Sequence, residues 1–63
     1  MTLSEARKKL PAFACGLGIY AKSTAELRDF VQSELTAEQE DHENNPLEPK
    51  QIAALKKFLK VTA

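Results

Sequence analysis

The chain carries two capping boxes, Thr2-Leu3-Ser4-Glu5 and Ser23-Thr24-Ala25-Glu26, and each opens a run of apolar residues at helical spacing. In such a box the Ser or Thr hydroxyl accepts from the backbone N–H three residues on, while the Glu carboxylate reaches back to the first N–H. Two orphan donors are satisfied at once, so each box dictates where a helix begins. After the first box Leu3, Ala6, Leu10, Phe13, Leu17 and Tyr20 recur in steps of three and four. After the second, Leu27, Phe30, Val31 and Leu35 share one face and Arg28, Asp29, Gln32 and Ser33 the other, as a half-buried helix requires. A third stripe, Ile52, Leu55, Phe58 and Leu59, follows Pro49, whose fixed φ suits the first turn of a helix. Lys56, Lys57 and Lys60 crowd its end, where cations complement the helix dipole. Phe13, Cys15, Leu17 and Ile19 also alternate as a strand would, yet no second segment offers it a partner. The expected fold class is all-α: three short helices, or four, in a single domain over residues 1–63, as a small helical bundle or a helix-turn-helix-like orthogonal arrangement.

The interruptions are as informative as the stripes. Pro11 removes a backbone donor and crowds the carbonyl of Arg7, which predicts a break near Leu10 or a second helix opening on Pro11 itself. Gly16 and Gly18 predict a helix end between them. The apolar signal of the second helix stops near Ala37, and the carboxylates of Glu38, Glu40, Asp41 and Glu43 oppose the dipole there, so fraying before Asn44 is expected. Asn44-Asn45-Pro46 then stops the chain and turns it. The polar stretch from Glu38 to Glu48 reads as a long connector, from which the last helix is free to swing.

Size and charge exclude several classes of function. A chain of 63 residues buries only about 60% of its unfolded surface, too little for a large multi-domain enzyme and marginal even for a lone core. Self-association is therefore expected to help, and the stripe Ile52, Leu55, Phe58 and Leu59 is the expected contact, giving a homodimer. One cysteine excludes an intramolecular disulfide and a four-cysteine zinc site, and suits a reducing compartment. Nine basic and nine acidic side chains cancel, which argues against tight nonspecific nucleic-acid binding. The zero total hides a pattern. Arg7, Lys8, Lys9 and Lys22 against Glu5 make residues 1–22 net +3, the eight carboxylates against Arg28 make residues 23–48 net −7, and four lysines close the chain. Either the ends fold back on the middle, or the charges form solvated faces, or the acidic surface, with Glu38 and Asp41, steers a basic protein partner. The longest uncharged run, Leu10 to Ala21, has twelve residues where a spanning helix needs about 20, so no membrane segment is expected. Behind Arg7, Lys8 and Lys9 that run has the look of a secretory signal, but the capping box at Thr2 points to a folded start and a cytoplasmic protein.

No pattern calls for a catalytic group, a cofactor or a metal. His42 stands one turn after Glu38 and beside Asp41, but a zinc site wants more nitrogen or sulfur ligands in a characteristic spacing. Cys15 with His42 would lack an oriented base and an oxyanion site, so Cys15 reads as a small core residue. Gly16 and Gly18 lack both the third glycine and the preceding strand of a dinucleotide fingerprint. Residues 13–28 do resemble a helix-turn-helix: small Ala14, then Leu17-Gly18-Ile19, then Ser23-Thr24 and Leu27. They depart from it where Thr24 replaces a β-branched hydrophobe and where Gly16 weakens the first helix. In that alternative Lys22, Ser23, Thr24 and Arg28 would face phosphates or base edges, with Glu26 and Asp29 repelling phosphate from the same helix.

The opening MTLSEARKKLPAFACGLGIYAKS and the closing LEPKQIAALKKFL resemble, in size and style, short accessory proteins from the early region of lambda-like temperate phages, encoded between the recombination and excision genes. The resemblance implies a cytoplasmic, non-enzymatic regulator that acts in the infected bacterium through host or phage proteins and shifts the balance between lysis and lysogeny. It carries no functional residues over.

Overall fold

The computed structural model describes residues 1–63 and is all-α, with no strand. Helix α1 spans Leu3–Lys9, α2 Cys15–Tyr20, α3 Thr24–Glu40 and α4 Pro49–Val61, and a single 3-10 turn, Ala12–Ala14, leads into α2. Helices start at both expected caps, where the Thr2 hydroxyl accepts from the N–H of Glu5 at 3.2 Å and that of Ser23 from Glu26 at 3.1 Å. Neither box closes: Glu5 does not reach back to the Thr2 N–H and instead accepts from the Thr2 hydroxyl at 3.2 Å, and Glu26 makes no return bond to Ser23. Helix α4 opens on Pro49 as its first residue, with Gln51 Oε1 accepting from the N–H of Glu48 at 2.9 Å. It closes on Thr62, whose buried hydroxyl donates to the Phe58 carbonyl at 2.7 Å.

Helix α3 is the spine, and α1, α2 and α4 all pack on it. The core is correspondingly lean. Phe58, Leu27, Leu55 and Val31 are its fully buried large side chains, and Ala6, Ala14 and Ala21 fill the places where backbones come close. Leu3, Leu17, Phe30, Leu35, Leu47 and Leu59 shield it from the sides. Leu55 and Phe58 join Leu27 and Val31 in this cluster, so all four of the large, fully buried side chains come from α3 and α4.

The break at Pro11 falls where the sequence predicts it. Leu10 and Pro11 are extended, with ψ of 139° and 153°, and Pro11 precedes the 3-10 turn rather than opening a helix as its first residue. The expected helix end between Gly16 and Gly18 does not occur: both glycines lie inside α2, neither has positive φ, and the helix runs on to Tyr20. The physical reason is long-range. A Cβ on Gly18 would lie 3.2 Å from Cγ of Arg7 and 3.2 Å from Cδ1 of Leu10, so glycine here lets α2 press against α1.

Two further expectations are corrected. The last helix does not swing away. Leu47, the lone apolar residue of the connector, packs against the core and pins it, and Leu55 and Phe58, expected to offer a contact to a second copy, are each 1% exposed within the monomer. Ile52 and Leu59 are half-buried and border a cleft between α3 and α4 with Gln32, Leu35 and Glu38. Nor is Cys15 a core residue: it is exposed, with its thiol turned to the Pro11 carbonyl at 3.6 Å. The charged ends do not fold back onto the acidic middle as ion pairs. His42 Nδ1 against Glu38 is the one close contact between a basic and an acidic side chain, and no carboxylate meets a Lys or Arg within 4.0 Å.

Candidate functional site

Between Lys9 and Lys22 the chain holds no charge, and this stretch forms the 3-10 turn and α2. Its inner side is fixed from α1. The Arg7 guanidinium donates from Nε to the Gly18 carbonyl at 2.8 Å and from Nη2 to the Ala21 carbonyl at 3.0 Å. A cation on the open carbonyls at a helix C-terminus satisfies acceptors that have no partner within the helix and complements the dipole. With Gly18 seated on Leu10 and Leu17 turned to the core, the direction in which α2 faces is set.

What faces outward is apolar. Phe13 is 45% exposed and Ile19 and Tyr20 are each 76% exposed, with Cys15 and Gly16 open between them. Tyr20 and Phe13, expected to continue the buried stripe of α1, thus lie outside the core. Phe13 from the 3-10 turn and Gly16 and Tyr20 from α2 line one groove and so form one row along this surface. The groove, of ≈ 410 Å³, is lined also by Leu17, Leu47, Leu55 and Glu34. At about 150–250 Å² for a whole aromatic side chain, Phe13, Ile19 and Tyr20 together present on the order of 400 Å². That falls within the range of the largest patch on a small monomer, which is commonly functional. No sequence periodicity marks this surface. Its one signal is compositional: twelve uncharged residues in a chain with 29% charged ones.

The residues singled out from the sequence are placed as follows. Of the helix-turn-helix set, Lys22 and Ser23 are exposed at the start of α3. Ser23 is engaged as the cap, the Thr24 hydroxyl donates to the Met1 carbonyl at 3.4 Å, and Arg28 donates from Nη2 to the Leu59 carbonyl at 3.3 Å with its Nε buried without a partner. Three of the four side chains are therefore occupied in holding the fold, and the Arg28 guanidinium is turned toward α4. Of the acidic pair, Glu38 contacts Nδ1 of the largely exposed His42, while Asp41 accepts from the Asn44 amide at 2.9 Å. No three His, Cys, Asp or Glu side chains come together to hold a metal ion. No helix is long and apolar enough to cross a membrane. Set beside family models, curated proteins and solved structures, the chain finds no match.

Proposed function

We propose that this protein is a small non-enzymatic interaction module that docks through the outer face of α2. The observation that supports the reading is the exposed uncharged surface of Phe13, Ile19 and Tyr20, on a helix aimed and held by Arg7. Apolar surface concentrated on one rigid element is where a small domain gains binding energy, and aromatic residues supply most of it. The resemblance of the chain's two ends to phage early-region accessory proteins suggests a cytoplasmic setting and a host or phage protein partner that bears on lysis or lysogeny.

The test is affinity purification from a bacterial extract with the wild-type chain and with a Phe13→Ser, Tyr20→Ser variant. A protein retained by the first and lost with the second is expected. The reading is overturned by retention that is indifferent to the two substitutions, or by enrichment of duplex DNA instead of protein.

A further inference from the structure

We infer that the outer face of α2 is a self-complementary surface that pairs with a second copy of the chain about a two-fold axis passing beside Gly16. The inference rests on the docking reading above and names the occupant of that surface.

Gly16 supplies the first argument. Nothing lies within 4 Å of the place a Cβ would take there, so no neighbour in its own chain requires a glycine. Within a helix glycine costs about 1 kcal/mol relative to alanine. Gly18, two residues on, is accounted for by Arg7 and Leu10; Gly16 is not. A glycine open on an exposed helix face is suited to the approach of another backbone.

The spacing of the flanking aromatics supplies the second. Phe13 lies three residues before Gly16 and Tyr20 four after it, so the midpoint of the row falls at Gly16 and Leu17. When two such helices run antiparallel across a two-fold axis at that midpoint, Phe13 of each copy meets Tyr20 of the other, and the two glycines face each other between the aromatic pairs. An isologous contact places the same patch on both sides, and a residue on the axis meets its own copy. Any charge there would face a like charge. The stretch between Lys9 and Lys22 is the longest in the chain without one.

Area supplies the third. The monomer exposes 4451 Å², about a tenth more than the size scaling for a folded chain of 7.0 kDa. Two patches of on the order of 400 Å² bring about 800 Å² together from Phe13, Ile19 and Tyr20 alone. The surrounding Cys15, Gly16 and Leu47 carry the total to about 1,000 Å², the lower limit for a specific interface. The pairing is therefore reversible and weak, with a dissociation constant of about 10 μM to 1 mM, the range of small transient contacts.

Sedimentation equilibrium from about 20 μM to 1 mM, in reductant so that Cys15 stays free, tests the inference on the whole chain. The wild type is expected to rise toward twice the 7.0 kDa chain mass. Gly16→Lys, which sets two ammonium groups against each other on the axis, is expected to remain monomeric, with affinity reduced at least about tenfold. The open surroundings of Gly16 keep its monomer folded, which far-UV circular dichroism at about 5 μM verifies. Tyr20→Ser, on a side chain outside the core, should weaken pairing in the same way. A wild-type chain still monomeric at about 1 mM overturns the inference, as does a dimer that Gly16→Lys and Tyr20→Ser leave intact. A chain that stays monomeric yet loses a defined extract protein on Gly16→Lys sinks the second copy while leaving the docking reading standing.

Discussion

Replacing Gly16 and Gly18 singly by alanine separates two glycines that look alike in the sequence and differ in their surroundings. Each replacement restores helix propensity, up to about 1 kcal/mol. At Gly16 nothing opposes that gain, because the new methyl meets no atom within 4 Å. At Gly18 the methyl arrives 3.2 Å from Cγ of Arg7 and 3.2 Å from Cδ1 of Leu10. Neither yields freely: the Arg7 stem carries a guanidinium held on two carbonyls, and Leu10 sits in the core at 8% exposure. Overpacking of this kind costs about 1–3 kcal/mol, and retreat of the stem lengthens the hydrogen bonds to Gly18 and Ala21. Gly16→Ala should therefore stabilise by up to about 1 kcal/mol and Gly18→Ala should destabilise by about 0–2 kcal/mol. At about 4–8 °C per kcal/mol for a domain of this size, the two midpoints should stand apart by on the order of 10 °C. Thermal melts followed by circular dichroism at about 5 μM, where most chains are single copies, give both numbers. Equal midpoints, or a Gly18→Ala variant more stable than Gly16→Ala, would refute the close approach of α2 to α1.

Arg7→Met keeps the aliphatic stem and removes both bonds to the α2 carbonyls, and urea denaturation should show a loss of about 1–2 kcal/mol, moderated by the solvent exposure of the guanidinium. Phe58→Ala leaves a cavity where α4 meets α3 at a side chain that is 1% exposed, at a cost of about 3–5 kcal/mol. That is comparable with the whole stability of a chain this short, so its amide spectrum should collapse to the narrow dispersion of an unfolded chain. His42→Ala removes a partner of Glu38 on the surface and should change stability by less than about 0.5 kcal/mol.

The capping boxes, Pro11 and Pro49 were legible as helix boundaries because their physics is local: a side chain within three residues of the backbone it caps, or a ring that fixes its own φ. The apolar stripes of α3 and α4 were legible for the same reason. The stripe of α1 was not safely extended through Phe13 to Tyr20. Two extended residues and a 3-10 turn intervene, and a 3-10 residue advances about 120° where an α-helical one advances about 100°. The phase is lost across the break, so Tyr20 comes out on the solvent side. Gly18 and Arg7 were illegible because each is explained by the other across eleven residues of sequence. Leu47 was illegible as one apolar residue in a polar connector, yet it packs against the core cluster, in which Leu55 and Phe58 are buried within the monomer rather than left for a second chain.

The docking surface proposed for this protein is the outer face of α2, and amide chemical shifts of the isotope-labelled chain, recorded from about 20 μM to 1 mM, test that proposal most directly. Concentration-dependent shifts confined to residues 12–20 and the neighbouring Leu47, with Leu55 to Leu59 unmoved, are expected. Shifts centred on α4, or spectra that are identical at every concentration, would contradict pairing through α2.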